Sequence, residues 1–368
     1  MTRARFTPLI ASLPSTVPFV GPETLQRDRG ADFVARLGAN ESAFGPSPRA
    51  VEAMREADAE IWKYGDSSSH DLRHALAQKY GCPADCVIVG EGIDGLLGNL
   101  VRLTVATGDA VVTSEGAYPT FNYHVAGCGG TLHKVPYRDD HEDLAGLLRM
   151  AADCNAKLVY FANPDNPMGS WHSGASIAAA LEDLPEGALL VLDEAYLEFA
   201  PAGTEVPLPL DDPRIIRLRT FSKAYGLAGA RVGYALAHPD LIAAFDKVRN
   251  HFGMNRSAQI AALAALRDEE WLAKVQGKVK AARNRVGEIA RENGLLPLPS
   301  ATNFVAVDCR RDGEFARALL SALLEQGVFL RMPAPPPLDR CIRISCGLPA
   351  ELDALAGALP KALRHVTR

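Results

Sequence analysis

Four groups of side chains along this sequence have the types and placement to do chemistry together. Lys223 and Arg231 lie in Arg219-Thr-Phe-Ser-Lys-Ala-Tyr-Gly-Leu-Ala-Gly-Ala-Arg-Val-Gly-Tyr234, just past a β-prone run at 214–218. A lysine after a strand, on a loop punctuated by Gly226 and Gly229, stands where open α/β sheets place their ligand chemistry. Anywhere else a lysine is an ordinary solvated residue. Asp193-Glu-Ala-Tyr196 follows the apolar run 188–192, and a carboxylate delivered by a buried strand is costly without a cationic partner. The turn Gly90-Glu-Gly-Ile-Asp-Gly95 leads from a strand into a helix. It aims backbone N–H groups and the positive end of the helix dipole at a bound anion, although glycines also simply permit tight turns. Arg343, in Arg340-Cys-Ile-Arg-Ile-Ser-Cys-Gly347, carries the fork that pairs bidentately with carboxylate or phosphate.

Bringing these groups together requires a sheet. Short apolar runs at 86–89, 109–113, 157–162, 188–192 and 214–218 alternate with helical stretches, the pattern of a mostly parallel, doubly wound α/β sheet. Each run ends on a candidate contact. Helices are expected at 49–59, at 70–80 and from the glycine turn to about 105. Beyond Tyr234 the alternation loosens. A long helix is expected over 258–293, then strands at 302–308, 328–331 and 340–347 with helices at 313–326 and to about 363. This reads as a smaller C-terminal α/β domain. The first thirty or so residues, rich in Pro, Thr and Gly, read as an extended arm that completes it. The expected division is an arm at 1–48, a large domain at 49–255 and a small domain at 256–368.

Ser222-Lys-Ala-Tyr-Gly-Leu-Ala-Gly-Ala-Arg-Val-Gly233 resembles the signature of the fold-type I, class I/II pyridoxal-phosphate aminotransferases, and within them the histidinol-phosphate branch. The resemblance implies an aspartate aminotransferase-like fold and a Schiff base between Lys223 and the aldehyde of pyridoxal 5′-phosphate. Ser222 and Arg231 then hold the cofactor phosphate. Gly92, Ile93 and Asp94 stand where the family has Gly-Ser-Asp, while Gly95 replaces its following acid. Phe121, in Tyr118-Pro-Thr-Phe-Asn-Tyr123, falls where the family lays a ring flat against the pyridine. Asn163-Pro-Asp-Asn-Pro-Met-Gly169 resembles Asn-Pro-Asn-Asn-Pro-Thr-Gly, which gives Asn166 the phenolic oxygen; a plain Pro/Asn turn reads the same way. Asp193 pairs with the protonated pyridine nitrogen and keeps the ring an electron sink, and Tyr196 also bonds the phenolic oxygen. Tyr64 matches a tyrosine that reaches the phosphate of a neighbouring subunit, which implies a homodimer with shared active sites.

On the substrate side, Arg343 matches the family arginine that binds the substrate's anionic group, and Arg331 assists it. Asn40 and Glu41 match Asn-Glu-Asn-Pro, with Ser42-Ala43 in place of Asn-Pro. Phe19 falls near a phosphate-binding tyrosine of the branch and lacks its hydroxyl. The implied reaction moves an amino group from an amino acid or a histidinol-phosphate-like amine to a 2-oxo acid. An aromatic or other amino-acid aminotransferase, or a decarboxylase of the same fold, would use the same apparatus.

Bulk properties bound the alternatives. A formal net charge of −5 over 368 residues is no footprint for nucleic acid, and no apolar stretch is long enough to span a bilayer. Pro8 and Pro14 break the N-terminal apolar run too early for a signal sequence. Seven scattered cysteines argue for a reducing cytoplasm. Cys82 with Cys86, Cys341 with Cys346, and His70 with His74 lack the further ligands of a metal site. A nucleotide-binding enzyme would need Gly-x-Gly-x-x-Gly spacing, absent at 90–95. A cofactor-sensing regulator would need an added DNA-reading domain, for which the arm is too short.

Overall fold

The computed structural model describes residues 5–15 and 20–367. Runs of buried aliphatic residues build its centre. After the short β1 (Ala35–Arg36) come β2 (Val87–Gly90), β3 (Ala110–Ser114), β4 (Thr131–Val135), β5 (Leu158–Ala162), β6 (Leu189–Asp193), β7 (Ile215–Thr220) and β8 (Gly233–Leu236), the last seven forming one sheet in the order β2-β8-β7-β6-β5-β3-β4. Pairing is parallel except along β8, which runs antiparallel to both β2 and β7. Every residue of β5 is buried, as expected of a strand covered on both faces. Leu158 and Tyr160 pack into the layer of helices Gly92–Thr104 and Pro119–Gly127, while Val159 and Phe161 face helices Leu144–Cys154 and Gly174–Ala180. The period of two along a strand makes this division.

A second assembly sits beside this sheet. β10 (Phe304–Asp308) pairs antiparallel with β9 (Leu296–Pro297) and with β12 (Cys341–Ser345), while β1 pairs parallel with β11 (Val328–Phe329). Helices Glu269–Glu292, Gly313–Glu325 and Pro349–Val366 bury their apolar stripes against it. The chain leaves β1 along β12, where Ser345 N–H donates to Leu37 O at 2.8 Å.

The structure departs from the sequence reading in several places. The N-terminal arm is not simply extended: it holds helices Pro8–Ser12 and Pro22–Arg29, each begun by a proline at its first turn, where a missing N–H costs nothing. The stretch 258–293 forms two helices, Arg256–Leu266 and Glu269–Glu292, because Asp268 turns out of the helix and caps the second through Trp271 N–H. The first of the two packs with helices Pro48–Ala57 and His70–Tyr80 against β2 and β8, away from the smaller assembly. Only Val328 and Phe329 of the expected strand 328–331 form regular ladder; Arg331 makes an isolated bridge to Arg343.

Behind the C-terminal ends of β6 and β7 lies a buried ionic cluster. Arg217 and Arg219, two apart on one face of β7, both bond Glu194, at 3.1 Å and 2.8 Å, and both reach Glu205, at 3.0 Å and 2.6 Å. Both arginines and Glu194 are 5% exposed or less. Burying such charges repays its desolvation cost only where pairing is this complete.

Candidate active site

The C-terminal ends of β5, β6 and β7, adjacent in the sheet, open onto one region. Three residues past β7, the Lys223 amine is half-buried and donates to Asn40 O at 3.3 Å, 5.6 Å from the Tyr196 ring centre. Asn40 has a left-handed backbone, φ 56°, a conformation Asn tolerates better than most residues. It is held from several sides: its Nδ2 donates to the Tyr196 hydroxyl at 3.3 Å, Ser345 Oγ donates to its Oδ1 at 2.8 Å, and Asn303 Nδ2 donates to its carbonyl at 3.0 Å. Asn303 and Ser345 carry no signal in the sequence that would have singled them out.

Asp193 ends β6 at 6% exposure. Its carboxylate accepts from Tyr160 Oη at 2.7 Å and from Ala195 N–H at 3.0 Å. Burial nonetheless drives its pKa up to about 6, with the two hydrogen bonds and Lys223 pulling the other way. An acid in this state gains from a cation placed beside it.

The anion cradle forms where β2 and β8 meet. Gly92 has φ 77°, and a Cβ there would fall 2.5 Å from Arg231 Nη2; a Cβ on Gly233 would meet Gly92 and Ile93 backbone at 2.7 Å. Glycine at both positions lets the guanidinium, the turn and β8 close together. Arg231 Nη1 donates to Ser222 Oγ at 3.4 Å, and its Nη2 lies 3.8 Å from Asp94. Ser222, Arg231, Asp94 and the first turn of helix Gly92–Thr104 therefore share one spot. Gly226 sits so close to Gly45 that a Cβ would lie 2.5 Å from its backbone, which seats the lysine loop on the loop after Asn40.

Arg343, on β12, donates through Nη1 to Asn166 Oδ1 and through Nη2 to Gly38 O at 3.3 Å, with its Nε buried and without a partner among the described residues. Burial lowers its pKa to about 10. Arg331 lies on the bridged segment beside it, its pKa also lowered by burial. Arg331 donates through Nη2 to Val20 O at 2.5 Å, so the two guanidinium groups, on bridged segments, are held by different partners.

Phe121 lies not in a loop but in helix Pro119–Gly127, wholly buried and stacked on Tyr160 with ring centres 4.7 Å apart. The ring on the site side is Tyr118, whose hydroxyl donates to Asp94 at 3.3 Å and whose pKa is raised by burial and by nearby groups that include Tyr196 and Asp193. Tyr64 is 78% exposed, with its ring against Phe252. Phe19 lies outside the described residues.

The chain as a whole resembles known proteins. The family model for aminotransferase class I and II matches residues 34–359. The chain belongs to this family. Histidinol-phosphate aminotransferase of Anaeromyxobacter sp. is 39% identical over 97% of this chain and 98% of its own length. The crystal structure of histidinol-phosphate aminotransferase from Sinorhizobium meliloti in complex with pyridoxal-5′-phosphate is 55% identical, covers 99% of both chains and superposes with a TM-score of 0.96. A Thermus thermophilus aspartate aminotransferase, 23% identical over 99% of this chain and all of its own, shares the fold at a TM-score of 0.82. The protein is thus a pyridoxal-phosphate-dependent transaminase of fold type I. Its residues fit that cofactor: an amine for the aldehyde, a buried acid for the ring nitrogen, and a glycine cradle with Ser222 and Arg231 for the phosphate.

The Asp193 carboxyl makes a prediction for the cofactor-free protein. Its folded pKa is raised, so the stability it contributes is full below the unfolded value near 4 and is lost as pH rises through about 6. Asp193→Asn removes that loss. Denaturant unfolding should find the apo variant more stable than apo wild type at neutral pH, by on the order of 2 kcal/mol, with the gap closing towards about pH 4. A gap that does not change with pH would show that Asp193 is not held protonated.

Proposed function

We propose that this transaminase takes its amino group from histidinol phosphate and passes it to a 2-oxo acid. The observation that carries this reading is the pair Arg331–Arg343, bridged backbone to backbone, with Arg343 turned onto Asn166. A dianionic phosphate matches two guanidinium forks better than an uncharged side chain does. The names and identities of the two histidinol-phosphate relatives support the same donor, and nothing favours an aromatic donor or decarboxylation over it.

When bound, pyridoxal phosphate supplies an aldehyde to which amines attach and a ring that takes up the electrons of the broken Cα–H bond. The chain supplies the rest. Lys223 Nζ would hold the cofactor and move the substrate's Cα proton, and Asn40 O, its hydrogen-bond acceptor, fixes where that amine waits. Asp193 would keep the ring nitrogen protonated. Tyr196 Oη and the Asn166 amide would bond the phenolic oxygen; Asn166 has its Oδ1 engaged by Arg343, which leaves Nδ2 to donate. Ser222, Arg231 and the Gly92-Ile93-Asp94 turn would hold the phosphate, and Tyr118, bonded to Asp94, would supply a ring beside the pyridine.

We also propose a homodimer in which Tyr64 reaches the partner's phosphate, in line with its exposure beside Trp62 at 76% and Phe252 at 54%. Sedimentation of the holoenzyme as a monomer at micromolar concentration would sink this. We assign residues 49–268 to the cofactor-holding unit and the remainder to the unit that meets the substrate, moving the boundary past helix Arg256–Leu266 on account of its packing. The reducing cytoplasm suits seven cysteines that are all unpaired.

Lys223→Ala should bind pyridoxal phosphate yet show no turnover and no lysine-linked visible absorption band; a variant with either would remove the lysine from its role. In a donor panel of histidinol phosphate, His, Phe, Tyr and Asp, loss of that band should be fastest with histidinol phosphate. Arg343→Gln should lower kcat/KM for that donor by roughly 30- to 1000-fold, the cost of truncating one partner of a desolvated charge pair. Equal rates with Phe or Tyr would overturn the assignment.

A further inference from the structure

Two carboxyl groups that the chemistry above does not use lie behind the turn that carries Asn166. Glu142 is 1% exposed and Asp165 2%, and the two side chains lie close enough to act on each other's ionisation. Donors occupy the rest of their surroundings. Glu142 Oε2 accepts from the Ser114 hydroxyl at 2.8 Å and Oε1 from Ala162 N–H at 3.4 Å. Asp165 Oδ1 accepts from Tyr137 Oη at 2.8 Å and Oδ2 from Met168 N–H at 3.0 Å. Facing the pair are Tyr137 after β4, Tyr160 on β5, His141 and His172 on the adjoining loops, and Arg343 on β12. None of these ion-pairs with either carboxylate among the described residues. Burial keeps His172 towards its neutral form. Two buried carboxyls this close resist ionising together, which favours one proton between them.

The turn at 163–169 is anchored from this side. Asp165 N–H donates to Ser170 O at 2.9 Å, Gly169 N–H donates to Asp165 O at 3.1 Å, and His172 N–H donates to Asn163 Oδ1 at 2.8 Å. Asp165 reaches back to Glu142 and Tyr137, while the next residue, Asn166, reaches forward to Arg343. The chain has Asp165 where the family pattern quoted above has Asn. An asparagine could donate to Glu142 with its own amide hydrogens; an aspartate needs the proton.

We propose that Glu142 and Asp165 are positioning residues which, by sharing a single proton, clamp the 163–169 turn and hold the Asn166 amide towards the cofactor. This rests on the reading of Asn166 as a cofactor contact. Burial raises both carboxyls, Glu142 well above its usual range, so the pair holds its proton beyond the ordinary carboxylate range and gives it up only as pH rises further. Two adjacent negative charges then repel, and the turn loosens.

The test uses Glu142→Gln, which keeps a hydrogen bond without a titrating group, and Glu142→Ala, which removes the partner. Because the pair's folded pKa is raised, its stability is full at low pH and lost as pH rises. As pH rises above the unfolded carboxyl value near 4, the melting temperature of apo wild type should therefore fall more steeply than that of apo Glu142→Gln. Equilibrium dialysis at neutral pH should find pyridoxal phosphate binding weakened about tenfold in Glu142→Ala, with Glu142→Gln within about twofold of wild type. Parallel melting curves for wild type and Glu142→Gln overturn the shared proton, even should Glu142→Ala fail to fold. Wild-type affinity in Glu142→Ala overturns the clamp. Asn166→Ala separates the two layers: if it binds cofactor as wild type does while Glu142→Gln still flattens the pH slope, the positioning role fails and the proton pair stands.

Discussion

A carboxylate held dry at the end of a parallel strand is the constraint around which this molecule is arranged. Asp193 cannot sit at that depth as a free anion, and the sheet order gives it the neighbours it needs. β6 lies between β5 and β7, about 5 Å from each, so the residues that follow those strands emerge beside it. Asn166 comes from one side and Lys223 from the other. The cradle of Gly92 and Arg231 comes from the next pair outward, β2 and β8. Placement of the chemistry is a matter of strand adjacency, and the loops only finish what the sheet begins.

The scaffold around that acid is stiff for electrostatic reasons. Glu194, next to Asp193, is tied to Arg217 and Arg219 on β7, so the ends of β6 and β7 are joined by charge as well as by the backbone ladder. Loss of Glu194 would leave two buried guanidinium groups with only the half-exposed Glu205 between them, a cost of up to roughly 3–5 kcal/mol. Such a cluster holds the register of the two strands that deliver the acid and the lysine.

Much of this was legible in the sequence because it is local. Apolar runs, glycine turns and the chemistry-bearing residues at their ends lie within a few positions of one another, and the strands expected from those runs fell within two residues of them, whereas β1, β4, β8 and β9 were not anticipated. What escaped depends on partners far along the chain. Phe121 turns into the core because Tyr160 offers it a ring to stack on, and Tyr118 inherits the open side. The break at Asp268 has no glycine or proline to mark it, only a capping carboxylate whose spacing fits many sites. The short arm helices are too brief to declare themselves without tertiary contacts. Glu142, Asn303 and Ser345 stand out in no motif, since their importance lies wholly in what they touch.

β12 carries Arg343 and Ser345 on the same face, two residues apart. One grips Asn166 and the other Asn40, whose carbonyl receives the lysine's amine. If Arg343 takes the substrate's charge as proposed, the ribbon that meets the visitor is also the one that braces the lysine through Asn40, and a rigid-body nudge to it would be felt at both places at once.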